Sequence, residues 1–249
     1  MKNTILKSSL SPEGILKLIL NSPHNHNALS EEMILNIQLS LDNSLDDKQV
    51  RVIIISSEGP TFSAGHDLKE LTEGRKNPDK GRTYFQEIMT RCSRLMKAIV
   101  NNPNPIIAEV SGTATAAGCQ LVASCDLAYA SKSAKFATPG VNIGLFCSTP
   151  MVAISRNISN KHSMEMLLSG ELVSAEKAEK IGLINKVLEN SVLEKHTLDM
   201  ALKISKKSAI TLKIGKEAFY KQIDMTLSES YDYASNVMVE NMLKLDAEE

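Results

Sequence analysis

Phe62-Ser63-Ala64-Gly65-His66-Asp67-Leu68 and, further along, Ser111-Gly112-Thr113-Ala114-Thr115-Ala116-Ala117-Gly118-Cys119-Gln120 repeat one local plan. Each follows an apolar, strand-like run, Val52-Ile53-Ile54-Ile55 before the first and Pro105 to Val110 before the second. Each then passes through small residues into a helix. Small side chains at 64, 65, 116, 117 and 118 leave the main chain open to close approach by another group. The first amides of a helix have no acceptor within it, so such a turn presents free donors. Asp67 has the chemistry of a cap for the turn that follows it.

The rest of the chain keeps the strand-loop-helix rhythm. Gly14 to Leu20 reads as a strand, broken by Asn21-Ser22-Pro23 into a polar loop through His24, Asn25, His26 and Asn27. Ser30 is placed as an N-cap, with Glu31 and Glu32 in the first turn and Leu29 and Ile34 spaced as a hydrophobic staple. Met33, Ile34, Ile37, Leu41 and Leu45 then form one apolar stripe. The unbroken Val52 to Ile55 run predicts a strand covered on both faces. Thr72 to Arg82 reads as a mobile excursion, Phe85 to Ile99 as a helix ended by Asn101-Asn102-Pro103, and Leu127 to Ala130 as a strand. Ser174 caps a helix ending at Gly182, Leu183 to Leu188 is strand-like, and an all-helical tail follows. In that tail Leu227, Tyr231, Ala234, Met238, Met242 and Leu245 make a stripe too apolar for water, which predicts packing on the core or on a neighbouring subunit.

Composition narrows the class of partner. The chain has 249 residues, 43% of them hydrophobic, and a formal net charge of -1. That balance gives no general attraction for nucleic acid or an anionic membrane, so any phosphate site must be local. Cys92, Cys119, Cys125 and Cys147 lack the paired spacing of a zinc site and read as reduced thiols. His24 and His26, one residue apart, are no convincing metal pattern, and no metal is expected. No apolar run approaches a membrane span, and Met1 to Leu10 lacks the marks of a removable targeting peptide, so a cytoplasmic location is expected. A dinucleotide fold is excluded by the absence of a G-x-G-x-x-G turn after an early strand.

The two quoted segments, together with Cys125-Asp126-Leu127-Ala128, the Pro23 to Leu29 loop and the Phe136 to Gly144 stretch, resemble the crotonase (enoyl-CoA hydratase/isomerase) superfamily. The order and spacing match from Gly14 to Val187. The resemblance implies an α/β fold, a spiral of ββα units over residues 1–190, with a helical C-terminal region, 191–249, involved in oligomerisation as a homotrimer or hexamer. It implies lyase or isomerase chemistry on the acyl-CoA thioesters of fatty acid metabolism, with coenzyme A as part of the substrate and no separate cofactor. The main-chain N–H groups of His66 and Ala117 would form an oxyanion hole for the thioester oxygen. Asn27, Ala28 and the turn from Ala64 through His66, Asp67, Leu68 and Lys69 would lie against coenzyme A. Lys69 is a candidate phosphate contact or a solvated lysine, and Lys216 and Lys221 are candidates from a neighbouring subunit's tail.

This sequence departs from the family where the chemistry matters most. Hydratases of the family carry two glutamates at the positions occupied here by Gln120 and Gly140. A carboxamide takes no proton at neutral pH and glycine has no side chain, so the usual acid and base are missing. His66, whose imidazole titrates near neutrality, is the leading substitute, unless its ring points away from the acyl group. Cys147 either borders the acyl pocket or is an inert buried thiol. Tyr84, just before the helix bordering the excursion, has no physical claim to a role. The readings that survive are an enzyme stabilising an enolate and a non-catalytic acyl-CoA-binding protein.

Overall fold

In a computed structural model of the chain, which describes residues 4–244, ten strands form two sheets. The larger contains, in spatial order, β1 (Leu6–Leu10), β2 (Ile15–Leu20), β3 (Val52–Ser57), β5 (Ile106–Val110), β7 (Leu127–Ser131) and β10 (Lys186–Leu188). The smaller contains β4 (Thr61–Ser63), β6 (Thr113–Thr115), β8 (Lys135–Ala137) and β9 (Val173–Ser174). β1 and β2 are antiparallel, and the neighbours from β2 to β10 in the large sheet are parallel. Successive turns of chain lay one strand in each sheet and then a helix: β3, β4, α2 (Leu68–Gly74) and α3 (Arg82–Asn101), then β5, β6 and α4 (Ala117–Ser124). This is the expected spiral of ββα units.

β3 is buried on both faces, as its unbroken apolar run predicts. Ile53 and Ile55 face the main core with α1 (Glu31–Asp46) and α3, while Val52 and Ile54 face a second cluster with Leu193 and Ala201 of α8 (Asn190–Ser205). Ser30 caps α1 by accepting from the Met33 amide. Each of Met33, Ile34, Ile37 and Leu41, buried from that helix, contributes about 1.5–3 kcal/mol. Leu45 does not continue the stripe: it is 53% exposed, and Ser44 turns inward instead, accepting from the Asn102 side chain.

β1 was not expected, because only Leu6 of its five residues is buried. The excursion at 72–82 is instead the end of α2 and a turn pinned by Asp79, whose carboxylate accepts from the Gly81 and Thr83 amides before α3 begins. Beyond α4 the chain makes a 3-10 turn at Pro139–Ile143 and then α5 (Ser148–Ile154), α6 (Asn160–Ser169) and α7 (Ala175–Ile181), the last capped by Ser174 as expected.

The tail comprises α8, α9 (Ala209–Gln222) and α10 (Leu227–Met242). α9 is tied to the core by Lys216, whose ammonium donates to Asp126 Oδ2 at 2.7 Å and to the Ile99 and Asn104 carbonyls. The Tyr220 hydroxyl donates to the other Asp126 oxygen at 3.0 Å. α10 packs on α9 and buries none of its residues. Its stripe therefore is not taken into the core: Leu227 is 77% exposed and Met242 65%. Leu245 lies outside the described residues.

Candidate functional site

The two quoted turns meet. β4 and β6 run parallel in the small sheet, so the turns leaving their ends lie side by side. The Thr115 hydroxyl donates to the Ala64 carbonyl at 3.1 Å and links them directly. Gly65 has φ +88, a conformation natural to glycine, and a β-carbon built there would stand 2.9 Å from Ala116 Cβ and 3.0 Å from Ala117 N. A β-carbon at Gly118 would strike the Ser63 carbonyl oxygen at 2.2 Å. Glycine at 65 and 118 is thus a steric requirement of the contact.

Ala116 carries the strain of the arrangement. Its φ of 49 and ψ of -120 are unusual for a residue with a β-carbon and are held by its amide donating to the Ala137 carbonyl at 2.9 Å. The twist starts α4 at Ala117, whose amide, as the first of the helix, has no intrahelical acceptor. The Leu29 amide donates to the Gly65 carbonyl, which fixes the peptide before His66. Neither the His66 nor the Ala117 amide donates to an acceptor among the described residues. Two free donors therefore stand on either side of the Gly65 contact.

The side chains around these amides are mostly uncharged. Gln120, one turn into α4, is 4% exposed, and its Oε1 is enclosed without a hydrogen-bond partner. Both ring nitrogens of His66 are likewise enclosed and unpartnered. Desolvation pushes the His66 pKa below the usual histidine value, against a weaker upward pull from the Leu29 backbone, so the imidazole is neutral at pH 7. Gly140 is buried in its 3-10 turn, and its carbonyl accepts from the Leu145 amide at 2.9 Å. A β-carbon at 140 would meet the Leu145 carbonyl oxygen at 2.5 Å and Cys147 Sγ at 2.9 Å. The loop has closed onto the position, so that any side chain there requires the Leu145 carbonyl to shift. Burial raises the Cys147 thiol above its ordinary pKa, so it stays protonated.

Several candidate binding residues are committed elsewhere. Asn27 is fully buried: its Oδ1 accepts from the Ser22 amide at 2.7 Å, and its Nδ2 donates to the Glu58 and Thr61 carbonyls at 2.9 and 2.7 Å. Ala28 is 5% exposed. Any ligand contact at these two falls to their main chain. Asp67 caps α2 through the Lys69 amide and accepts from Asn25 at 2.6 Å. Burial works to raise its pKa, but those hydrogen bonds and the Lys69 charge outweigh it and hold the carboxyl below its usual value. Ala64, Leu68 and Lys69 are exposed beside the turn.

Lys216 is not available to a phosphate, because its ammonium is sequestered against Asp126, with burial lowering its pKa against the attraction of that carboxylate. Lys221 stands 4.8 Å over the Tyr233 ring. His24 and His26 are exposed. Burial, with the carboxylates of Glu31, Glu70 and Asp67 nearby, pushes Tyr84 up to about 12. The supporting atoms that sequence reasoning missed are main-chain carbonyls, of Ala137 and Leu145, and main-chain positions leave no mark in residue identity.

The family profile described as enoyl-CoA hydratase/isomerase matches residues 11–249. The chain belongs to the enoyl-CoA hydratase/isomerase family. Among its relatives are the mouse protein named enoyl-CoA hydratase domain-containing protein 3, mitochondrial, 47% identical over 98% of this chain and 80% of that protein, and its human counterpart, 46% identical over 95% and 77%. Two similar solved structures are a Mycobacterium smegmatis enoyl-CoA hydratase (TM-score 0.93, 42% identity, 98% of this chain and 93% of that one) and human enoyl-CoA hydratase domain-containing protein 3 (TM-score 0.93, 44% identity, 98% and 94%). The names of the vertebrate relatives overturn the cytoplasmic expectation, since those enoyl-CoA hydratase/isomerase proteins are mitochondrial. The expectation rested on the lack of targeting marks in Met1 to Leu10 and of an apolar run long enough to span a membrane.

Proposed function

We propose that the chain binds an acyl-CoA thioester with its carbonyl oxygen between the amides of His66 and Ala117, and stabilises the enolate-like charge that develops there. The observation that carries this is the pair of unpaired amides meeting across Gly65, with glycine required at the contact. Two fixed donors in a site walled by buried residues need no reorganisation as charge builds, and each donor of this kind is worth about 2.7–4 kcal/mol. The free amide of Ala117 at the start of α4 adds a favourable helix dipole.

Proton transfer is the weak side of the site. Gln120 and Gly140 supply neither acid nor base, and each such group is typically worth about 10²- to 10⁴-fold. The second reading, a protein that binds acyl-CoA without turning it over, is favoured by the Leu145 carbonyl and Cys147 thiol standing where a side chain at 140 would lie.

The exposed apolar face of α10 is best explained by a second copy of the chain, in a trimer or hexamer. Hydration of crotonyl-CoA by the purified protein, measured beside calorimetric binding of butyryl-CoA and free coenzyme A, tests both readings. Turnover selects the enzyme; binding of the thioester in preference to free coenzyme A without turnover selects the binder. Equal affinity for the two ligands removes the oxyanion assignment.

A further inference from the structure

β1 is the outermost strand of the large sheet, so one of its edges is bare. The Asn21 amide donates to the Ile5 carbonyl at 2.7 Å, and the Ser11 amide to the Ile15 carbonyl at 3.0 Å. Both pairs continue the register that sets Leu6 opposite Leu20 and Leu10 opposite Leu16. Hydrogen-bonded and non-bonded pairs alternate along an antiparallel ladder. The odd-numbered residues of β1 therefore direct their main-chain groups to β2, while the N–H and C=O of Leu6, Ser8 and Leu10 point outward. None of these meets a backbone partner among the described residues. A charged side chain commonly guards such an edge. Here the one charge in the strand, Lys7, alternates to the face away from Ser8 and Leu10 and is paired with Glu58.

Beside this edge, between β1 and the C-terminal end of α1, runs a groove of about 220 Å³ lined in part by Ser8, Leu10, Leu16, Ser40, Ser44 and Asp47. What α1 offers it are acceptors. The hydroxyls of Ser40 and Ser44 donate to the Asn36 and Leu41 carbonyls of their own helix, at 2.9 and 2.6 Å, and so turn only lone pairs to their surroundings. Asp47 adds a carboxylate. The last carbonyls of a helix lack partners within it and carry the negative end of its dipole, and no basic residue stands in the last turn of α1. No cation lines the groove.

We infer that this groove docks an extended segment of a partner protein, which adds as a strand to β1 and seats a lysine or arginine side chain against Asp47 and the end of α1. The inference goes beyond the thioester reading, and the groove shares no residue with the paired turns. In strand addition the main chain supplies affinity, and pockets for alternate side chains supply specificity. Every second side chain of the added strand faces α1, as Ser8 and Leu10 do. An acceptor-lined groove with an uncompensated carboxylate selects a cation among them, and Leu10 and Leu16 suit its methylene stem.

The probes are two N-acetylated, C-amidated hexapeptides, one alternating threonine with lysine and the other threonine with glutamate, titrated calorimetrically into the full chain at low salt. The lysine peptide is expected to bind at least about tenfold tighter, since like charges brought together across an interface oppose binding. The ratio falls severalfold in Asp47→Asn, whose carboxamide can still accept from the Gln49 amide as Asp47 does. Ser8→Pro removes an outward N–H that β2 does not use, so it leaves the melting temperature nearly unchanged and abolishes binding. Bound lysine peptide also slows amide hydrogen exchange across Leu6–Leu10. Absence of lysine-peptide binding at about 1 mM, equal affinity for the two peptides, or a ratio untouched by Asp47→Asn overturns the inference. So does unaltered exchange in the strand with peptide bound, which decides the matter even if Ser8→Pro does not fold. Exchange that is slow without peptide and quickens on dilution gives the edge to a second copy of the chain instead.

Discussion

Gly65 approaches Ala117 so closely that a β-carbon on the glycine would lie 3.0 Å from the alanine's amide nitrogen. Gly65→Ala therefore covers a donor as well as straining a backbone at φ +88. The conformational cost is about 1–2 kcal/mol, and the loss of one oxyanion donor about another 2.7–4 kcal/mol of charge stabilisation. The expected result is a modest fall in melting temperature with a disproportionate loss of whatever affinity butyryl-CoA has over free coenzyme A. A variant that melts lower but keeps the full thioester preference would count against the oxyanion site.

Placing glutamates at 120 and 140, where the resemblance to the family would have them, should be unequal work. Gln120→Glu replaces one side chain by another of the same shape. Gly140→Glu drives a β-carbon to within 2.5 Å of the Leu145 carbonyl oxygen, and the loop must move. Overpacking of this kind costs typically 1–3 kcal/mol, so Gly140→Glu is expected to lower the unfolding midpoint by about that amount and Gln120→Glu by less. Crotonyl-CoA hydration should rise first in the Gln120→Glu variant. A stable Gly140→Glu protein with full hydratase activity would show that the closed loop is no obstacle.

The elements legible in the sequence were those whose residues serve one face or two without exception. Val52 to Ile55 could be read because all four are buried, and Ser30 and Ser174 because capping is local chemistry. β1 was hidden since four of its five residues are exposed and it is held by pairing with β2 rather than by burial. Gln120 and Gly140 stand out only through the resemblance to the family, which sets a carboxylate against the residue written at each position. The closure of Leu145 onto Gly140 was not legible, because it is made by a carbonyl that every residue possesses. Lys216 was misjudged for the reverse reason: its letter promises a free cation, and only the fold shows that Asp126 and two carbonyls have taken it.

His66 gives the site a pH signature. Its ring is desolvated, so its folded pKa lies below the unfolded value of about 6.5. The unfolded chain then binds the proton more tightly than the folded one, and stability falls as protons are taken up. The contribution is fully present above the unfolded pKa and is lost as pH falls through the folded pKa. Melting temperatures measured from pH 7.5 downward should decline through this region in the wild type and decline less steeply in His66→Gln. Parallel profiles would mean that the imidazole is solvated.

The face of α10 makes a prediction about assembly that is separate from chemistry. Leu227, Tyr231, Met238 and Met242 are 77%, 69%, 59% and 65% exposed, and they recur at intervals that bring them to one side of the helix. No part of the core covers them, since α10 buries none of its residues. If a second copy covers this face, Met238→Asp places an unpaired charge in an apolar contact, at a cost of several kcal/mol per interface. Sedimentation velocity should then show the wild type as an oligomer and Met238→Asp shifted to monomer at the same concentration. The far-ultraviolet circular dichroism should remain helical, because α9 stays anchored by Lys216 and Tyr220 on Asp126. A monomeric wild type, or an oligomer indifferent to the substitution, would assign the stripe to another partner.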